Sequence, residues 1–430
     1  MSACGRGEVT DMATFLLVSL GCKMNTYETL ALKESLQRQG YREAGSGEAP
    51  DFVVVNTCAV TAMAERKDLK TVRDLARDYP KSSLYIMGCS SQIHKDAYLA
   101  LPEVKGVFGT DQRHRIPSLI GQDVGNQVNP DFHHFCWDDL SLSQGEYQAK
   151  AYLKIQDGCN NYCAYCLVPY TRGVSRSRPK EEILAEAKRL ILNGYKEIII
   201  GGIDVGSFQD PQDPHYRLAQ LLTEMVLLCP DQDYRIRVSS IEASQIDECY
   251  IQVFKDNPDR LCPHFHIPLQ SGSQKILSAM GRKYSKDAYL AMVTKVKEAL
   301  PGVALSTDII TGFPGESEED FKETVAFAKA IGYMRIHAFP YSERPLTRAS
   351  LIKGGKVPMT VRRERTQELI RLSAELDKAY RKEHAGMKAR LLVEAAIRPG
   401  VYSGYTENYL EMTLTSSHDL TATFVPVIIH

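Results

Sequence analysis

No run of eighteen apolar residues occurs in the chain, so no segment suits a bilayer-spanning helix. The opening stretch, MSACGRGEVTDMA, lacks the apolar centre of a secretory signal. Net charge is nearly absent as well: 52 Lys and Arg face 53 Asp and Glu, which alone argues neither for nor against a nucleic-acid partner. A soluble, cytoplasmic protein without a membrane partner is expected. A reducing cytosol does not preserve disulfides, so the 11 cysteines point to metal or redox chemistry. At 430 residues the chain exceeds one ordinary core, and two or three domains are expected.

The chain is organised around DGCNNYCAYCLVPYTRG, from Asp157 to Gly173. Here Cys159, Cys163 and Cys166 form a C-x3-C-x2-C run just past a short apolar strand, Ala151–Ile155. Three thiolates on one loop can hold three irons of a 4Fe–4S cube, leaving the fourth open to a small chelating molecule. The alternatives are a zinc site or three unconnected core cysteines. Structural zinc usually draws four ligands from paired Cys or Cys/His sets. This loop lacks a fourth, since Asn160, Asn161 and Tyr162 fill the gap. The spacing, with Tyr165 between the last two cysteines, resembles the signature of the radical S-adenosylmethionine (SAM) enzymes. That resemblance implies SAM on the open iron and its reductive cleavage to a 5′-deoxyadenosyl radical.

From Ala13 to Asp139 short apolar strands alternate with helices, the sign of a parallel α/β sheet. Strands are expected at Thr14–Leu20, Asp51–Asn56, Ser83–Gly88 and Val104–Gly109. Helices are expected at Thr26–Gln39, closed by Gly40, and at Thr61–Asp78, stopped before Pro80. Cys22, Cys58 and Cys89 each follow one of the first three strands. The carboxyl ends of parallel strands share one edge, where ligands bind, so these cysteines converge into a second three-thiolate site. The bland alternative is small buried residues. Cys4, Cys136, Cys229, Cys249 and Cys262 show no such placement and read as core or surface residues.

LGCKMNTYET, VVVNTCAVT, MGCSSQ and the cysteine loop, in this order, resemble the methylthiotransferases, radical-SAM enzymes that replace a C–H bond by a methylthio group. The resemblance covers nearly the whole chain. It implies two 4Fe–4S clusters, an auxiliary one on Cys22, Cys58 and Cys89 and the SAM-cleaving one on Cys159, Cys163 and Cys166. One SAM methylates a sulfur held by the auxiliary cluster; a second yields the radical that abstracts hydrogen from C2 of an adenine. The carbon radical then takes the methylthio group. Such a C–H bond offers no useful acidity to a side-chain base, so a radical is needed.

From Gly145 to Lys378 about six β/α units follow, which fits the open partial barrel of the radical-SAM fold rather than a closed eight-unit barrel. Strand ends should build the site. Gly201 and Gly202 resemble the family glycines that let the backbone approach the SAM methionyl group. Ser239, Ser240 and Glu242 are candidates for the SAM ribose or carboxylate; Gln270, Ser271 and Ser273 follow the fourth strand. Asp308 and the TGFPGE loop are placed near adenine, as is Tyr165. For each polar residue the plain alternative is a turn or helix cap. TRGVSRSRPK supplies Arg172, Arg176 and Arg178, read as phosphate contacts beside the reacting base or else a solvated turn.

Pro358 to His384 reads as a long basic helix. Between Arg344 and Arg398 fourteen Lys/Arg face six Asp/Glu, as expected for phosphate attraction. The last fifty or so residues read as strands and resemble the TRAM domain, a small RNA-binding β-barrel. Its Tyr402, Tyr405 and Tyr409 either stack on unpaired bases or fill the core. The expected fold is thus α/β: an N-terminal parallel α/β domain (13–139), a radical-SAM partial (β/α)6 barrel (145–378) and a TRAM-like β-barrel (379–430).

GCKMNTYET, CLVPYTRGVSRSR and GYTENY look most like the enzymes acting on N6-threonylcarbamoyladenosine at position 37 of the tRNA anticodon loop, a single-stranded and accessible base. The alternatives are the isopentenyl base, an aspartate of a ribosomal protein, or a non-catalytic iron–sulfur RNA-binding protein. The resemblance implies an electron donor of flavodoxin or ferredoxin type and leaves the sulfur donor open. One departure is YSERPLTRAS, where Leu346 replaces the family glycine.

Overall fold

The computed structural model describes residues 12–143 and 149–430. Cys4 and the expected domain start at Gly145 lie outside the described residues. The chain forms two compact units, one reaching to Asp131 with Asp138–Ser141 added, the other Phe132–Trp137 and Leu142–His430.

The first unit runs β1 (Thr14–Ser19), α1 (Lys23–Arg38), β2 (Arg42–Glu43), β3 (Phe52–Thr57), α2 (Ala62–Asp78), β4 (Ser83–Gly88), α3 (Cys89–Leu99), β5 (Val104–Phe108), α4 (Ile116–Leu119) and β6 (Gly125–Gln127). Its strands are parallel, in the order β2-β1-β3-β4-β5-β6. Parallel strands covered on both faces need near-continuous apolar runs, and FVVVNT of β3 is buried at every position. Val53, Val55, Leu84 and Ile86 pack one face against Val72 of α2 and Tyr98 of α3; Phe52, Val54, Tyr85 and Met87 pack the other against Leu32 and Leu36 of α1. The start of α2 is fixed by Thr61, whose Oγ accepts the Ala64 N–H at 3.1 Å. In sheets of this order the chain reverses direction between β1 and β3, and ligands bind outside the carboxyl ends at that point.

In the second unit β7 (Lys150–Lys154) leads to a small ladder of β8 (Gln156–Asp157) and β9 (Arg176–Ser177) that brackets the cysteine loop and α5 (Val168–Arg172). Then come α6 (Lys180–Leu192), β10 (Glu197–Gly201), α7 (Leu218–Val226), β11 (Arg235–Val238), α8 (Glu248–Asp256), β12 (His264–His266), α9 (Gln274–Met280), α10 (Lys286–Ala299), β13 (Ala304–Thr311), α11 (Glu318–Ile331), β14 (Arg335–Pro340) and α12 (Met359–His384). Two three-stranded parallel ladders, β7-β10-β11 and β12-β13-β14, make the wall. They are joined where Ile236 bridges Leu261 and the Ile241 N–H donates to His266 O at 3.0 Å. The result is the expected open barrel of six β/α strands. Pro179 is the N-cap of α6. Among the described residues no helix is long and apolar enough to cross a membrane.

The C-terminal sheet, β15 (Lys388–Arg398), β16 (Val401–Tyr405), β17 (Glu411–Thr415) and β18 (Phe424–Ile428), is antiparallel in the order β17-β16-β15-β18. It seats at the amino ends of the barrel strands. Arg235 donates to the carbonyls of Arg390 and Tyr405 at 3.0 and 2.9 Å, and Arg237 to those of Glu407 and Thr406 at 3.0 and 3.1 Å. Glu197 of β10 holds both guanidiniums, at 2.6 and 2.8 Å. Tyr409 stacks between His264 and Tyr405, at 4.5 and 4.8 Å, and Tyr402 is buried against Leu391 and Val393. The core reading therefore holds for Tyr402 and Tyr409. The expected boundary at 378/379 falls inside α12.

Candidate active site

The cysteine loop turns sharply at Gly158, whose φ is +71° and where a Cβ would meet Val174 O at 2.1 Å. Beyond it each sulfur lies near an N–H donor. Asn161 N–H points to Cys159 Sγ at 3.4 Å, Val168 N–H to Cys166 Sγ at 3.4 Å, and Arg282 Nη1 to Cys163 Sγ at 3.3 Å. Burial pushes the Cys166 thiol up to about 12 and Cys159 further still; neighbouring cysteines, and Asp204 beside Cys159, add to the rise. Sulfurs that are unfavourable as bare thiolates, yet supplied with N–H donors, suit iron ligands. Among the described residues no three His, Cys, Asp or Glu side chains are close enough to share one metal ion, whereas a cube's cysteines bind different irons.

Arg282 was not singled out by sequence reasoning. It ion-pairs with Glu242, donates to Tyr284 Oη at 3.1 Å and to Tyr165 Oη at 3.4 Å, and is buried. Burial would lower its pKa, but Tyr165 and Glu242 hold it above the ordinary value, so it stays cationic. The only sequence signal was its place in GRKY, just after α9. The loop is clamped from the same side: Ala164 N–H donates to Met280 O at 2.8 Å, Ala349 N–H to Ala164 O at 2.8 Å, and Arg348 to Tyr162 O at 2.8 Å. Leu346 belongs to this clamping segment and has φ +71°, a left-handed conformation that glycine adopts without strain. The departure from glycine thus keeps the glycine backbone.

The predicted strand-end residues divide by use. At Gly202 a Cβ would come within 3.0–3.2 Å of Gln156, whose Oε1 accepts the Ile203 and Asp204 N–H groups and whose Nε2 donates to Asp157 O and Gly158 O. Gln156 therefore ties the end of β10, with Gly201 and Gly202, to the cysteine loop. Asp204 in turn bonds Asn161 at 3.1 Å and Gln245 at 2.8 Å. Ser239 and Ser240 follow β11, half-buried, and Glu242 comes next with its carboxylate on Arg282. Gln270 holds a left-handed φ of +68° so that its peptide pairs with Asp308 O and Ile310 N. Ser271 and Ser273 are buried and bonded to Thr324 and Asp320 of α11, so they serve as turn ties rather than ligand contacts.

The basic run is ion-paired within the second unit. Arg172 and Arg176 reach the buried Asp157 at 3.2 and 3.3 Å, with Lys154 on the same carboxylate at 2.6 Å. Arg178 reaches Glu186 at 2.5 Å and Glu182 at 3.1 Å. These guanidiniums brace the base of the loop, Arg172 and Arg178 buried and Arg176 half-buried.

In the first unit Cys22 is the N-cap of α1, Cys58 follows β3 and Cys89 opens α3, all on three adjacent strand ends. A Cβ on Gly21 would meet Cys58 Sγ at 2.8 Å, so the first two ends lie side by side. Burial, then Cys89 and Cys22, push the Cys58 thiol up to about 12. Cys58 N–H donates to Asp68 at 2.6 Å, and burial pushes that carboxyl up to about 7. Cys22 is exposed while Cys58 and Cys89 are buried, leaving one open side. Three thiols with this shared approach fit a second cluster. Cys136 and Cys249 are exposed, and Cys229 and Cys262 are buried.

The Radical SAM superfamily matches residues 153–328, and Uncharacterized protein family UPF0004 matches residues 14–109. The chain is 36% identical to the threonylcarbamoyladenosine tRNA methylthiotransferase MtaB of Bacillus subtilis (strain 168), over 97% of this chain and 93% of that protein. It is 33% identical to the tRNA-2-methylthio-N(6)-dimethylallyladenosine synthase of Lawsonia intracellularis, over 96% of this chain and 95% of that one. Among solved structures, the radical SAM methyltransferase TsrM of Kitasatospora setae, with cobalamin and a 4Fe–4S cluster bound, superposes with a TM-score of 0.60 at 14% identity, covering 91% of this chain and 77% of that one. That likeness speaks to the fold alone.

Proposed function

The chain belongs to the methylthiotransferase family of radical-SAM enzymes, and from that premise we propose that it adds a methylthio group to C2 of N6-threonylcarbamoyladenosine at position 37 of tRNA. A radical-SAM domain brings with it a 4Fe–4S cluster and SAM. Cys159, Cys163 and Cys166 are assigned to that cluster, and Cys22, Cys58 and Cys89 to an auxiliary one. When bound, these groups supply the radical, the sulfur and the methyl group. The chain's own part is to hold the ligands and aim them. N–H donors meet the loop sulfurs; Gly201, Gly202, Ser239, Ser240, Glu242 and Gln270 line the strand ends for SAM, with Tyr165 beside them. An electron donor of flavodoxin or ferredoxin type remains part of the reading.

The observation that carries the chemistry is the loop itself, three half-buried cysteines whose sulfurs each lie near an N–H donor. The substrate is supported by the greater similarity to the relative named for threonylcarbamoyladenosine. The division into 13–139, 145–378 and 379–430 assigns the auxiliary cluster, SAM cleavage and RNA contact to successive stretches. With Arg172, Arg176 and Arg178 turned inward, exposed Arg371, Lys378 and Lys382 of α12 are the better phosphate contacts. Anaerobic reconstitution should give about eight irons per chain and reductant-dependent 5′-deoxyadenosine. The Cys22, Cys58 and Cys89→Ala triple variant should keep about four, still cleave SAM, and make no methylthio product. Iron without SAM cleavage would favour a non-catalytic RNA-binding protein.

A further inference from the structure

The solvent side of the cysteine loop carries two cations. Lys283 Nζ donates to Asn160 O at 3.3 Å, and Arg348 Nη2 to Tyr162 O at 2.8 Å. Asn160 follows Cys159 in the chain and Tyr162 precedes Cys163, so each cation holds a residue bonded to an assigned cluster ligand. The two also stand near each other. A Cβ on Gly281, two residues before Lys283, would meet Arg348 Nη2 at 2.7 Å. Both residues are exposed. A bond to a neutral carbonyl leaves the charge uncancelled, and among the described residues neither cation is ion-paired to a carboxylate.

Apolar side chains flank these charges. Arg348 opens the short 3-10 turn Arg348–Leu351, in which Leu351 is 77% exposed, and Leu346 just before it is 62% exposed. Ala349 N–H donates to Ala164 O at 2.8 Å, so both leucines lie on a segment bound to the cysteine loop. Leu346 holds its left-handed φ of +71° with the side chain in water, where no burial offsets the unfavourable backbone. A phosphate backbone is met by charge and hydrogen bonds. Unpaired cations set among exposed leucines suit a protein face instead.

We infer that this patch is the docking surface for the electron donor, a small acidic flavoprotein of flavodoxin type. Carboxylates around its flavin pair with Lys283 and Arg348, and the apolar dimethylbenzene edge of the flavin rests against Leu346 and Leu351. The route inward is short, since Tyr162 C=O is bonded to the Cys163 nitrogen and Asn160 to Cys159. The flavin hydroquinone gives up one electron, the cluster assigned to the loop gains it, and no proton passes through the chain. Electron-transfer partners bind weakly through small faces and are steered by charge, which suits a patch of two cations and two leucines. This rests on the SAM-cleaving reading of the loop.

The test titrates anaerobically reconstituted holoenzyme with flavodoxin by isothermal titration calorimetry at low and high salt. Wild-type binding should weaken as salt rises. Lys283→Glu should raise Kd about tenfold, and Leu351→Asp by a similar factor. Formation of 5′-deoxyadenosine driven by reduced flavodoxin should fall in both variants, while the dithionite-driven rate holds. Iron content and thermal unfolding check each fold; Leu351, the more exposed side chain, decides if Lys283→Glu loses its iron. Unchanged flavodoxin binding in either iron-loaded variant overturns the docking surface. So does weakened tRNA binding with flavodoxin binding intact, which would make the patch a phosphate contact. Failure of the wild type to cleave SAM even with dithionite would instead overturn the reading of the loop, a result separable from the binding constants.

Discussion

Arg282 stands far from the cysteine loop in sequence, yet it donates to Cys163 and ion-pairs with Glu242. Reduction of a cluster adds a negative charge, and a nearby cation that also bonds a ligand sulfur stabilises that state. Arg282→Met should therefore lower the loop cluster's reduction potential by ~60 mV, about a tenfold shift in the one-electron equilibrium. Arg282→Lys, which keeps the charge and loses the planar fork, should fall between. An EPR-monitored redox titration reads this directly, and an unmoved potential would reduce Arg282 to a tether for Glu242. None of this was legible in the sequence, because a long-range contact to one sulfur leaves no local pattern. The cysteines themselves were legible, since their chemistry dictates their spacing.

At the level of elements, strands buried on both faces announce themselves. FVVV in β3 is a continuous apolar run because helices cover both sides, and III in β10 is buried throughout. Helix α3 was missed because CSSQIHKD mixes small and polar residues, and its first turn serves the cysteine rather than a core. The fourth barrel strand, legible in HFHIPLQSGS as a strand followed by a loop, ends at His266, and the chain then turns toward the left-handed Gln270. The seat of the C-terminal sheet was equally hidden, for it rests on Glu197 with Arg235 and Arg237, residues that read as ordinary charged positions. Burial alone would raise the Glu197 carboxyl, but the Arg237 and Arg235 guanidiniums pull it far below its ordinary 4.5. A lowered folded pKa contributes stability that is present above pH 4.5 and is lost as pH falls below it. Glu197→Gln leaves two buried guanidiniums without their anion and should cost roughly 3–5 kcal/mol in urea unfolding. The variant should also lose the acid-induced transition; a variant as stable as wild type would mean that the carbonyls of β15–β17 suffice.

For the molecule as a whole, near-zero net charge hid a basic end. Arg371, Lys378 and Lys382 recur at helical spacing on α12 and are exposed. If they contact phosphate, replacing all three by Glu should weaken tRNA binding and flatten its salt dependence by about two to three units of slope. An unchanged slope would move the RNA contact elsewhere. The central claim, reaction and substrate together, is tested most directly by mass spectrometry of tRNA nucleosides from cells with and without the gene. The account predicts loss of 2-methylthio-N6-threonylcarbamoyladenosine with its unmethylthiolated precursor accumulating. Loss of the isopentenyl counterpart, or no change in either nucleoside, would contradict it.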